Sequence, residues 1–340
     1  MAQTTVKEII KDAPAFAQLT DLATERLGGK VLFATDDFFA EKENLIKPGR
    51  GIFITDKYTE RGKWMDGWES RRKRTPGHDW AIIQLATTGK ISGVDIDTHF
   101  FLGNHPPNAS IEACLLPEGQ VVIDWETEVN WVEILHKSHL DAGSQNFYQI
   151  ENDGIYSHLR LHIYPDGGVA RLRVYGEVFK RWEEVASTET VDLAAAINGG
   201  NAIACNDMFF SAMSNLIMPG RGVNMGDGWE TKRNRTPNNR DWVVLKLAIP
   251  GYIDSFEIDT AHFKGNYPDR CSIEACYSPN TDDVLHETAK WITLLPESKL
   301  QADHIHAFKS TNDTEKFTHV RLNIFPDGGV SRLRVWGRKG

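Results

Sequence analysis

"YPDGGVARLRVYG" (Tyr164–Gly176) and "FPDGGVSRLRVWG" (Phe325–Gly337) are nearly the same thirteen residues, written 161 positions apart. In each, the proline presets φ and the two glycines permit positive φ, which is turn chemistry. The stretch that follows alternates with period two. Leu172 and Val174 share one face and Arg171 and Arg173 the other, as do Leu333 and Val335 against Arg332 and Arg334. With "HLRLHIY" before it as the outgoing strand, the unit reads as a β-hairpin with an apolar core face. Its arginines face solvent, pair with carboxylates or point into a ligand cleft.

The duplication extends over almost the whole chain. "DLATERLGGKVLFATDDFFAEKENLIKPGRG" (Asp21–Gly51) matches "DLAAAINGGNAIACNDMFFSAMSNLIMPGRG" (Asp192–Gly222) without a gap. "DGWESRRKRTP" (Asp66–Pro76) matches "DGWETKRNRTP" (Asp227–Pro237), and "DIDTHFFLGNHPPNASIEAC" (Asp95–Cys114) matches "EIDTAHFKGNYPDRCSIEAC" (Glu257–Cys276). The first copy carries about ten extra residues within "FITDKYTERGKWM". One domain has been duplicated, and the period is too long for a solenoid. The expected division is an N-terminal segment 1–19, a first domain 20–176, a linker 177–189 and a second domain 190–340.

Segments such as "DWAIIQLA", "DWVVLKLA", "SIEAC" and "RLRVYG" are β-rich and separated by Gly, Pro, Asn and Asp clusters. Short strands without long intervening helices point to an all-β sandwich or jelly roll in each half. Helical signals are few. Residues 6–26 are expected to form a helix around Ile9, Ile10, Phe16 and Leu22, and "EVFKRWEEVA" a turn or two within the linker.

The 340 residues carry a formal net charge of −9, which argues against nucleic acid as a partner. No stretch approaches the roughly 20 apolar residues of a membrane span, and "MAQTTVKEIIKDAPAF" lacks the apolar run of a leader. The four cysteines form no CxxC, and Cys114 and Cys276 occupy matching strand positions. Free buried thiols in a reducing cytoplasm are expected. Two sandwiches leave open strand edges, so a homo-oligomer is also expected.

The paired motifs "NLIKPGRG", "DGWESRRKRTPGHDW", "FFLGNHPPNASIEAC" and "YPDGGVARLRVYG", with their second-half counterparts, resemble the allantoicase family from about residue 20 to 340. The resemblance implies a tandem of jelly-roll domains similar to galactose-binding and discoidin-like modules. It also implies a C–N hydrolase of purine (allantoin) degradation, which converts allantoate and water to ureidoglycolate and urea.

Allantoate is a small carboxylate with two ureido groups on one carbon. Its site needs an arginine for the carboxylate, amides for the ureido groups, and a carboxylate or histidine to move protons. The loops supply such residues in pairs. Arg50 and Arg221, Arg74 and Arg235, and Asn104 and Asn266 are candidate substrate ligands. Asp66 and Asp227, and Glu69 and Glu230, are candidate acids or bases. His99 in the first half and His262 in the second could assist. They lie one register step apart, on opposite faces if the strand continues. No carboxylate or cysteine completes a tetrahedral set with the histidines, so no structural zinc and no cofactor is expected. A divalent cation held by distant loops stays open. The competing reading is a non-catalytic double sandwich that binds a carbohydrate or other small ligand, with Trp64, Trp68 and Trp229 as stacking platforms.

Overall fold

The computed structural model describes residues 13–286 and 288–340, and these form two compact units, Ala13–Phe179 and Lys180–Gly340. Each unit is built around one strand of 19 residues, Asp79–Asp97 in the first and Asp241–Asp259 in the second. In the first unit the beginning of this strand pairs with Lys30–Ala34 and Ile155–Tyr164. Its end pairs with Arg171–Val178 and Phe147–Gln149. Opposite Tyr156–His158 the register jumps from Gly89 to Gln84. The long strand therefore bends from one layer of a β-sandwich into the other, with Asn108–Cys114 and Val132–His139 completing the first layer. The second unit repeats the pairing strand for strand. This is the duplicated all-β jelly-roll architecture expected from the sequence.

The core is the inner face of both layers. Ile83, Leu85, Ile111, Leu159 and Leu161 face Ile91, Val94, Ile96, Leu172 and Val174, all in one buried cluster. Each such side chain contributes roughly 1.5–3 kcal/mol by leaving water. All four cysteines are buried and unpaired. Among the described residues no helix is long and apolar enough to cross a membrane.

Two local expectations are corrected. The helix expected over residues 6–26 does not form in its described part. Ala15–Gln18 is a short 3-10 turn and Thr20–Asp21 is a strand. Leu22 donates its N–H to Val174 and accepts from Ala86, so sheet pairing takes the backbone bonds a helix would need. Residues 6–12 lie outside the described residues. The linker holds a single 3-10 turn, Trp182–Glu184.

The hairpin is the second correction. Ile155–Tyr164 and Arg171–Val178 do not pair with each other. They flank opposite ends of the long strand, and the PDGG segment crosses between layers. Alternation tells which face a side chain takes but not which strand lies beside it. At the crossing, Gly168–Val169 pairs with Trp68–Glu69, and Gly329–Val330 with Trp229–Glu230.

The crossing requires glycine. Gly167 has φ +140, and a Cβ there would lie 2.6 Å from the Asn104 carbonyl oxygen; one on Gly168 would lie 2.0 Å from the Phe101 ring. Gly328 and Gly329 meet Asn266 and Phe263 in the same way. Gly167→Ala and Gly328→Ala are expected to destabilise their units by more than about 1 kcal/mol. Urea denaturation checks this, and an unchanged midpoint in both variants would contradict the packing.

Candidate active site

The crossing positions the loops above it. Ser70 donates its N–H to the Gly167 carbonyl at 3.1 Å, and Gly168 donates to the Asn104 carbonyl at 2.8 Å. On its other side Glu69 bridges to Ala40. Trp68 is fully buried, and its indole N–H donates to the Asp36 carbonyl at 2.8 Å. Glu69 is thus held between two neighbouring segments by its own backbone. Its half-buried carboxyl accepts from Asn104 Nδ2 through Oε1 at 2.6 Å. Burial pushes this carboxyl above the usual glutamate range, against the opposing pull of the Asn104 hydrogen bond. Glu230 and Asn266 make the same pair in the second unit.

In the first unit Glu69 and Asn104 stand between two clefts. The larger, about 590 Å³, is lined by Arg72, Lys73, His105 and Asp166 among others. The smaller, about 440 Å³, is lined by Phe53, Lys63, Met65 and Phe100. Phe39, Glu69, Gly103 and Asn104 border both. These volumes fall in the range of small-molecule sites, roughly 300–1,000 Å³. The smaller cleft owes one wall to the extra residues of the first copy, whose hairpin pairs Tyr58–Thr59 with Gly62–Lys63.

The cations differ in availability. Lys73 Nζ reaches Asp79 at 2.5 Å and its N–H donates to Asp166 at 2.8 Å. Arg72 is exposed at the cleft and makes no hydrogen bond or ion pair among the described residues.

The expected site residues separate into groups. Glu69 and Asn104 come together at the cleft, as do Glu230 and Asn266 in their own unit. Asp66 is buried beneath, accepting from Arg171 at 2.8 Å and from the Ile52 N–H at 2.9 Å. Asp227 and Arg332 repeat this pair at 2.9 Å. The RLRV arginines are therefore carboxylate-paired. Arg50 binds Asp97 through two hydrogen bonds of 2.8 Å, and Arg221 binds Asp259 at 2.9 and 3.4 Å. Arg50 lines neither cleft. Arg74 and Arg235 are exposed, and Arg74 also lines neither.

The long strands end at Asp97 and Asp259, so the condition for a face switch between His99 and His262 is not met. His99 packs on Phe100 in the following turn. His262 occupies the Phe100 position, with positive φ in both, and its Nε2 lies 2.7 Å from the Gly222 carbonyl. Among the described residues no group of three or more His, Cys, Asp or Glu could hold a metal ion.

His105 and Phe39 were not singled out from the sequence, whereas Arg72 stands with Arg74 among the arginines that follow "DGWE". Arg72 sits two residues from Arg74 in one charge run, and only the backbone path decides which of them faces the cleft. His105 had a legible signal, because it follows the Gly-Asn turn and its counterpart is Tyr267.

Comparison with known proteins follows the same lines. A family described as "Allantoicase repeat" matches residues 20–179 and 191–340. The chain belongs to the allantoicase family. A "Probable allantoicase" of Photobacterium profundum is 50% identical over 95% of this chain and 98% of its own. "Probable allantoicase 1" of Burkholderia mallei is 52% identical over 96% of each. The crystal structure of allantoicase from Saccharomyces cerevisiae superposes with a TM-score of 0.81, at 35% identity, over 99% of both chains. The family's repeat therefore coincides with the two sandwiches, and the paired Glu–Asn sites are part of that repeat.

Breaking the Asp66–Arg171 pair should act on stability. Arg171→Met leaves the Asp66 carboxylate buried without its cation and is expected to cost about 3–5 kcal/mol. Calorimetric melting at neutral pH checks this, and a variant that melts with the wild type would remove the structural role.

Proposed function

We propose that the cleft around Glu69 and Asn104 is where this chain carries out its family's reaction. As a member of the allantoicase family the chain hydrolyses allantoate to ureidoglycolate and urea, a step of purine degradation. The observation that carries the assignment is a carboxyl held by an amide on one oxygen, kept protonated to higher pH by burial, beside an unpartnered arginine. Arg72 takes the substrate carboxylate in its planar fork. The protonated Glu69 gives its proton to the departing ureido nitrogen as the C–N bond breaks and the electron pair moves to nitrogen. A water oxygen bonds to the central carbon, and the proton it releases restores Glu69. Asn104 holds Oε1 so that Oε2 carries the proton. Asp66 and Arg50 brace the loops through Arg171 and Asp97.

The second unit keeps Glu230 and Asn266 but lacks the extra hairpin, and has Asn234 and Tyr267 in place of Lys73 and His105. Turnover is assigned to the first unit. The carbohydrate-binding alternative is not favoured, since Trp68 and Trp229 are fully buried and the half-buried Trp64 has Lys57 Nζ over its ring at 3.8 Å. The strands Val132–His139 and Ile292–Lys299 end their sheets, which supports a homo-oligomer, and the unpaired cysteines fit a cytoplasmic location.

Glu69→Gln is expected to lower kcat by about 10²–10⁴ at an unchanged melting temperature, whereas Glu230→Gln keeps most of the rate. Urea release from allantoate measures both, and a Glu69→Gln enzyme at wild-type kcat ends the assignment. The acid form of Glu69 is the working form, present below its pKa and lost above it. Wild-type kcat/KM should therefore decline as pH rises through that raised pKa. Light scattering at micromolar concentration should give a species larger than the 38.3 kDa chain.

A further inference from the structure

His105 borders the larger cleft together with Glu69, Asn104 and Arg72. Its backbone is fixed by the layer crossing, because Gly167 packs against the Asn104 carbonyl, the His105 carbonyl carbon and the Pro106 nitrogen. The two ring nitrogens have different surroundings. Nδ1 is buried with no hydrogen-bond partner. Nε2 makes no hydrogen bond among the described residues and is not sealed in the same way, so it is the ring's open polar atom.

This asymmetry selects a tautomer. A proton on Nδ1 would be a buried N–H with no acceptor, and such orphaned donors are rarer and costlier than an unused lone pair. A neutral imidazole carries one N–H, and these surroundings place it on Nε2. A ring in that state donates a hydrogen bond and does not accept a proton at the cleft.

Allantoate hydrolysis has a place for such a donor. When the C–N bond breaks, negative charge develops on the leaving nitrogen and spreads to the ureido oxygen. A donor set in advance at that oxygen binds the transition state more tightly than the ground state. We propose that His105 is a neutral hydrogen-bond donor, through Nε2–H, to the ureido oxygen of the departing group. The proposal rests on the reading of the Glu69 cleft as the active site. Atoms balance as before: Glu69 supplies the proton to nitrogen, water supplies the hydroxyl, and His105 exchanges no proton. Tyr267 stands at the corresponding place in the second unit, which sets the two copies apart at this step.

The test compares His105→Gln, His105→Ala and Glu69→Gln in the full chain, by steady-state urea release and thermal melting. Glutamine places an amide N–H near the Nε2 position but cannot act as a base at neutral pH. His105→Gln is expected to stay within about ten-fold of wild-type kcat. His105→Ala is expected to lose about 10²–10³ in kcat with little change in KM, the loss typical of one missing oxyanion donor. Equal loss in the glutamine and alanine variants, with both melting as wild type, would overturn the donor role and make the ring a base. Wild-type kcat in His105→Ala would remove any role. If Glu69→Gln also turns over at the wild-type rate, the cleft reading itself fails. If Glu69→Gln is inactive, only the role of His105 has failed.

Discussion

Two adjacent glycines hold together the end of each unit that carries the Glu–Asn pair. Gly167 and Gly168 pass so close to Asn104 and Phe101 that no side chain fits between them. That contact lets one short crossing bind the backbone of the Trp68–Glu69 segment on one side and of the Asn104 loop on the other. Three segments distant in sequence are thereby locked at backbone level, before any side chain interacts. The Glu69–Asn104 hydrogen bond follows from this frame, and so does the cleft it borders.

The charged residues around the frame divide by partner. Asp66 is enclosed by Arg171 and a backbone N–H, and Asp97 is gripped by both arms of Arg50. A carboxylate seated in an arginine fork has its oxygens committed, and removing either partner would strand a charge. Such pairs hold loops in place. Glu69 meets only an amide on one oxygen, in surroundings that penalise its charge. An acid of that kind can exchange a proton, and this difference of partner is the ground on which we propose Glu69, rather than Asp66, for the chemistry.

Duplication has preserved the frame more strictly than the cleft. Both copies retain the double glycine, the buried tryptophan, the Asp–Arg braces and the Glu–Asn pair. They differ at the rim, where the first has His105, Lys73 and a ten-residue hairpin and the second has Tyr267, Asn234 and a short turn. Packing constraints bear on the frame because a misplaced Cβ collides with backbone. At the rim the partners change with the substitution: Lys73 pairs with Asp79 in the first unit, whereas the equivalent Asp241 accepts from Asn206 and Asn239 in the second.

Much of this was legible in the residues. The repeat, the period-two alternation and the turn clusters determined a duplicated β-sandwich, since face and spacing are local properties of the chain. The pairing of Glu69 with Asn104 lay within reach because both occur in repeated loop motifs. Strand partners were not legible, and so PDGG looked like a hairpin and proved to be a crossing between layers. Nor could the chain alone separate Arg72 from Arg74 or Arg50. Each is an arginine in a polar loop, and only the fold decides which one meets a buried aspartate and which is left facing open space. The role of an ionisable side chain depends on the partner that tertiary structure brings within about 3 Å, and that partner lies 35 to 105 residues away.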